Sequence, residues 1–222
     1  MINLAGVLDK RGKYAEAEAI HRQALKRCEK VLGHDNPSTL ASMNNLACVL
    51  DSQGKYEEAE AMYARTVAST EKKSGPKHPN TLTAMNNLAT VLKTQGKFKE
   101  AEAMHQETLA QKERVLGQKR PDTLASMNNL AGVLDSQGKY KEAETMHRKA
   151  LKRREKVLGH EHPETLESVN LLAHLLSTTR RYNESLALYK RACAGYEIMF
   201  GKDHPTTRAC HRHHASTLAS EQ

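Results

Sequence analysis

The chain has 222 residues, with 34 Lys or Arg against 26 Asp or Glu and a formal charge of +8. No run approaches the roughly 18 consecutive apolar residues that a membrane span needs. The opening Met1-Ile2-Asn3-Leu4-Ala5 has neither a basic n-region nor an apolar h-region, so a cytoplasmic chain without a membrane partner is expected. With no Trp, 2 Phe and 7 Tyr, a single central core would be poorly supplied. Cys28, Cys48, Cys193 and Cys210 form no C-x-x-C pair, which argues against structural zinc and against a disulfide framework, and for a reducing compartment.

Self-similarity settles the organisation. Leu4, Leu46, Leu88, Leu130 and Leu172 recur every 42 residues, as do Gly33, Gly75, Gly117, Gly159 and Gly201, and Pro37, Pro79, Pro121, Pro163 and Pro205. The aromatic series Tyr14, Tyr56, Phe98, Tyr140 and Tyr182 keeps the same register. The units are 1–42, 43–84, 85–126, 127–168 and 169–210, and they predict one quasi-linear domain over 1–222 in which each unit buries its apolar face against the next.

In chain order, Met1 aligns with Met43, so the register predicts that the chain begins inside a first helix whose opening turn is missing. From Pro37 to Gln53, Met43, Leu46, Ala47 and Leu50 stand at i, i+3, i+4 and i+7 and predict a helix, with proline at its first position and Gly54 as its stop. A second helix is predicted from Tyr56 to about Ser74 on Ala59, Met62, Tyr63 and Val67, ended by Gly75. Each unit is thus an αα-hairpin, with small residues at Ala59, Ala101 and Ala143 for close approach of the two helices. The second unit is loosest at its tail, where Lys73 and Ser74 replace pairs such as Val157-Leu158. The fifth unit is atypical, with Arg180 in the glycine place, Ser185 in the alanine place and Leu171 in the second asparagine place. Pro205 opens a last helix over about 205–222, whose His211 and His214 suit a polar terminal cap.

The pattern Met43-x-x-Leu46-Ala47-x-x-Leu50, Gly54-x-Tyr56, Ala59-x-x-x-Tyr63 resembles the tetratricopeptide repeat. The 42-residue unit, with runs such as Asn44-Asn45-Leu46-Ala47 and Glu155-Lys156-Val157-Leu158-Gly159, resembles the kinesin light chain type. Similar arrays occur in fungal and bacterial signal-transducing NTPases of the NB-ARC or NACHT kind. The resemblance implies an all-α, right-handed α-solenoid acting as a non-enzymatic protein-interaction scaffold that holds an extended peptide or partner protein in a concave groove. The alternative it leaves open is the sensing or oligomerisation region of such an NTPase. Neither a heptad coiled coil nor a nucleotide-binding module is seen in this sequence.

On a helical wheel, Ala41, Asn45, Cys48 and Ser52 lie opposite the packing stripe, as do Thr83, Asn87, Thr90 and Thr94, and then Ala125, Asn129, Gly132 and Ser136. The resemblance implies that this side lines the groove. A ladder of Asn3, Asn45, Asn87 and Asn129 would offer donors and acceptors to the peptide groups of an extended ligand. Alternatively these amides, with Asn44, Asn86, Asn128 and Asn170, bind neighbouring helices together. No Lys or Arg on this stripe supplies a carboxylate clamp.

The remaining motifs point away from chemistry. Bases cluster on the second helices, as in Lys149 through Arg154, but Glu29, Glu71, Glu113 and Glu155 accompany them and read as i,i+4 pairing on a solvated face. Stacking aromatics are missing there, which leaves single-stranded RNA as the lesser alternative. Gly195 to Lys202 does not have phosphate-loop spacing, and Glu164 breaks the H-E-x-x-H pattern begun at His160. His34, His78, His160, His162 and His204 read as turn residues. Cys210, His211, His213 and His214 form the one cluster with metal-ligand chemistry, more simply a polar cap. No catalytic residue, metal, cofactor or small-molecule substrate is expected.

Overall fold

The structure, a computed structural model, describes residues 13–221; Asn3 and the predicted opening helix lie outside them. Among the described residues, ten helices and no strand follow one another: α1 (Tyr14–Leu32), α2 (Pro37–Ser52), α3 (Tyr56–Ser74), α4 (Pro79–Thr94), α5 (Phe98–Val115), α6 (Pro121–Ser136), α7 (Tyr140–Leu158), α8 (Pro163–Thr178), α9 (Tyr182–Phe200) and α10 (Pro205–Glu221). The chain divides into two compact units, Met1–Val115 with α1 to α5 and Leu116–Gln222 with α6 to α10. Within each, every helix packs on the next in sequence.

The local chemistry sets these boundaries. Proline occupies the first turn of α2, α4, α6 and α8, where the missing N–H costs nothing. The residue before it often caps the helix. Asn36 Oδ1 accepts from Ser38 N at 2.9 Å, and His78 Nδ1 and His162 Nδ1 accept from Asn80 N and Glu164 N at 3.2 and 3.3 Å. His78, His162 and His204 are therefore helix caps, each satisfying a backbone donor that the first turn leaves orphaned, whereas His34 and His160 lie beside Glu29 and Glu155. Two residues after the proline, Thr39 and Thr81 are fully buried and donate to the carbonyls of Gly33 and Gly75 at 2.8 and 2.9 Å, which ties each loop to the helix that follows it.

Core packing follows the predicted stripes. Met43, Leu46, Ala47 and Leu50 of α2 are at most 1% exposed, and Leu88, Ala89 and Leu92 of α4 and Leu130, Ala131 and Leu134 of α6 are buried in the same register. Each large apolar side chain so buried contributes about 1.5–3 kcal/mol relative to leaving it exposed. Ala59, Ala101 and Ala143 are fully buried at the helix crossings. Ser185 takes the same place in α9 and sends its hydroxyl to Ala173 O at 2.7 Å, so a polar atom is tolerated because it is paired.

Two expectations need correction. Cys193 of α9 and Cys210 of α10 form a disulfide, with Cα atoms 5.7 Å apart. Their 17-residue separation matches no local cysteine motif, and the two sulfurs meet only because α9 and α10 pack along their length. The glutamates of the second helices pair chiefly with the neighbouring repeat. Arg65 donates to Glu29 and Arg191 to Glu155 across 36 residues. Lys55 reaches Glu18, Lys97 reaches Glu60 and Arg181 reaches Glu144 across 37. The Lys55 ammonium and the Arg22 guanidinium hold the Glu18 carboxyl down at about 2, against the opposing effect of burial.

Candidate functional site

The first helix of each hairpin turns its apolar stripe inward, which leaves the opposite side to solvent. Cys48 and Ser52 of α2 and Thr83, Thr90 and Thr94 of α4 are exposed, with Asn45 and Asn87 half-buried among them. In the second compact unit, Ser136 of α6 is exposed and Asn129 half-buried. The hydroxyls of Ser52, Thr83, Thr90, Thr94 and Ser136 each donate to the carbonyl four residues back, at 2.9–3.1 Å. Their remaining lone pairs make this surface a set of acceptors without charge.

The asparagines divide by position. Asn87 donates from Nδ2 to Asn44 Oδ1 at 2.8 Å, linking α4 to α2. Asn128 is 5% exposed; it donates to Ser168 Oγ at 2.8 Å and its Oδ1 lies 3.1 Å from His147 Nδ1. Asn44 and Asn128 thus join helices, whereas Asn45 faces open space. Cys48 Sγ lies 3.0 Å from the hydroxyl of Tyr63. Burial, helped by the Cys48 thiol and Asp51, raises the Tyr63 phenol above its ordinary range, so it meets the thiol as a neutral group.

Between α2, α3 and α4 the surface deepens into a cavity of about 280 Å³. Leu40, Ala41, Asn44 and Asn45 form one wall, Thr66, Thr70 and Lys73 the second, and Asn80, Thr83 and Ala84 the third. Most of this lining is apolar or amide, and Lys73 brings the one charge among its lining residues. An apolar recess with a few converging polar groups is the usual form of a binding site. The structure therefore brings the predicted Asn45 and Thr83 together at the cavity. It places Cys48, Ser52, Thr90 and Thr94 along the same exposed side and outside the cavity lining, with Asn129 and Ser136 in the other compact unit. The sequence reading missed Thr66, Thr70, Asn80 and Ala84. The available signal was the column containing Thr70, which reads Cys28, Thr70, Lys112, Arg154 and Tyr196.

Three members of the Cys210–His214 cluster have partners. His211 Nε2 sits 2.7 Å from Glu197 Oε1, Cys210 is bridged, and His213 lies against the rings of His174 and Tyr189. Among the described residues no group of three or more His, Cys, Asp or Glu is placed to hold a metal ion, and no helix is long and apolar enough to cross a membrane.

The sequence model described as tetratricopeptide repeat matches residues 1–72, 53–114, 81–156 and 122–198. No curated protein sequence matches the chain. Among solved structures, the chain is similar to a Podosopora anserina protein described as a kinesin light chain with nearly identical TPR-like repeats. The two share 26% identity over 90% of this chain and 94% of the other, with a TM-score of 0.70. It is also similar to BtubC (BKLC) from P. vanneervenii, at 25% identity over 91% of this chain and 80% of the other, with a TM-score of 0.71. Bacillus thuringiensis PlcR, solved with the peptide PapR7 and DNA, shares the fold at 15% identity, covering 98% of this chain and 72% of the other with a TM-score of 0.70.

Proposed function

The chain belongs to the tetratricopeptide repeat family, and on that premise we propose that it is a non-enzymatic scaffold whose first helices bind an extended peptide segment of a partner protein. Residues 1–222 act in this reading as one cytoplasmic interaction region. The observation that carries it is the uncharged, acceptor-rich side of α2 and α4, with Asn45 and Thr83 entering a cavity on that same side. Amides and spare hydroxyl lone pairs suit the peptide groups of an extended ligand, whose own N–H and C=O need partners once water is displaced. PlcR, which shares the fold, was solved with the peptide PapR7 and DNA, and the peptide supports this reading. A nucleic-acid role is less well supported, because Arg22, Arg65, Arg148 and Arg191 are paired with carboxylates and are not lined up for phosphates.

The test is fluorescence anisotropy of a diverse panel of labelled peptides, with a labelled single-stranded RNA alongside, against the parent chain and two variants. Asn45→Ala/Thr90→Val/Thr94→Val alters the exposed side, while Arg65→Gln removes an ion pair to Glu29 on the second helices. Loss of about tenfold or more in peptide affinity for the first variant, with the second close to parent, is the expected result. Binding confined to RNA and collapsing with salt would instead move the site to the second helices.

A further inference from the structure

The cavity between α2, α3 and α4 is a position at which three other repeats bury a long side chain. Thr70 shares its register with Cys28, Lys112, Arg154 and Tyr196. Lys112, Arg154 and Tyr196 are all buried, at 5%, 1% and 4% exposure. Arg154 shows where such a side chain goes. Its guanidinium donates to Glu164 O, to Ser168 Oγ at 2.9 Å and to Glu167 Oε2 at 3.0 Å. The residues in the same registers two repeats earlier are Asn80, Ala84 and Thr83, and all three line the cavity. Cys28 points the same way, its sulfur 3.6 Å from Ser42, which stands in the register of Ser168. Thr70 crosses nothing, because its hydroxyl turns back onto Thr66 O and Val67 O at 2.8 and 3.0 Å. The space left is the volume that a long side chain occupies elsewhere in the array.

Resting on the peptide reading above, we infer that this cavity is an anchor pocket and that its occupant is a tyrosine side chain of the bound peptide. Size limits it to one large side chain, since about 280 Å³ lies just under the range of roughly 300–1,000 Å³ that small-molecule sites span. Charge then selects among the three side chains that fill this register. Arginine is held in the fourth unit by Glu167 and by Glu164, whose carboxylate lies 3.5 Å away. Here the equivalents Thr83 and Asn80 are neutral, and Lys73 adds a positive charge at the rim, so a cationic tip would be repelled and left without an acceptor. Tyr196 in the fifth unit stands in register against Thr206, Ala209 and Cys210 of α10, a small and uncharged set like Asn80, Thr83 and Ala84, and its phenol feels Glu167 and the cationic Arg154 on the other side. Lys73 makes only a 3.4 Å contact to Asp35 O and is exposed, which lets its ammonium turn to a phenol oxygen at the mouth.

The test uses the whole chain, ¹⁵N-labelled, titrated with N-acetyl-tyrosinamide and, separately, with N-acetyl-leucinamide and N-acetyl-argininamide. Saturable shifts confined to α2, α3 and α4, at least about fivefold tighter for the tyrosine probe, are expected. Thr70→Tyr, which supplies the plug that the fifth unit already carries, is expected to abolish them while circular dichroism stays helical. Ala41→Tyr on the cavity rim blocks the mouth without touching the buried column, and serves if Thr70→Tyr misfolds. No saturable shift, equal affinity for the three probes, or unchanged shifts in the plugged variant would overturn the inference. If panel peptides bind parent and plugged chain alike, the anchor pocket is wrong and the peptide reading stands. If no panel peptide binds while the tyrosine probe does, the peptide reading fails and the pocket remains.

Discussion

Arg180 shows how much a single residue of the repeat can be asked to bear. It holds φ 61, where Gly54, Gly96 and Gly138 hold 77, 79 and 76 at the same turn, a backbone region that costs an L side chain roughly 1 kcal/mol. Arg180→Gly relieves that strain at the cost of about 0.4–1 kcal/mol of added unfolded-chain entropy, and is accordingly expected to stabilise the chain by about 0–0.6 kcal/mol net. Urea unfolding of the two proteins checks this, and a destabilised glycine variant would contradict it. His105 makes a second residue-level case. It is 1% exposed, its Nδ1 has no hydrogen-bond partner, and burial, with Lys93 and Lys112 nearby, lowers its pKa to about 4. Above pH 6.5 the ring is neutral in both folded and unfolded chains, and stability is complete. Between 6.5 and 4 the unfolded chain takes the proton and the folded chain does not, so stability falls with falling pH, by about 3 kcal/mol in all. His105→Tyr, the side chain that Tyr63 and Tyr189 place in this register, should remove that part of the pH slope in denaturant titrations at pH 7, 6, 5 and 4. At this scale the strained Arg180 was legible, because a glycine column with one exception is visible in the sequence. Thr70 was not, since its column mixes Cys, Lys, Arg and Tyr and fits no apolar stripe, and only the packing shows that Lys112, Arg154 and Tyr196 are buried there.

Whole elements were the most legible part. Proline before, glycine after and a 3.6-residue apolar period between place α2 and α3 within a residue of their predicted ends, because each signal acts on the backbone locally. What crosses between helices was less so. The Cys193–Cys210 bridge and the 36- and 37-residue ion pairs depend on how hairpins stack, which spacing within one helix does not encode. Gly195 belongs to the same class. It is buried in α9, and a Cβ built there would collide with the side chain of Leu166, itself fully buried. Gly195→Ala should therefore destabilise by about 1–3 kcal/mol despite alanine's better helix propensity of about 1 kcal/mol. Thermal unfolding decides between these opposed effects, and a higher melting temperature would mean that α8 and α9 can part to admit the methyl group.

At the scale of the whole molecule, two surfaces compete for a functional reading. The second helices carry more than half of the bases, 19 of 34 Lys or Arg, and of the acids, 16 of 26 Asp or Glu, and these charges are spent largely on one another, each exposed pair being worth little in stability. The first helices present neutral hydrogen-bonding groups and the cavity at Asn45 and Thr83. The repeat register made that side visible in the sequence, but the division of the asparagines was not visible. Asn44 and Asn45 are neighbours of one residue type, and only the angle at which α4 meets α2 gives one an amide partner and the other open space. The account stands or falls on which surface a ligand covers. Hydrogen–deuterium exchange with and without the tightest peptide of the panel reads this directly. Protection concentrated in α2 and α4, with the exposed faces of α3 and α5 unchanged, is the predicted result; protection along the second helices alone would contradict it.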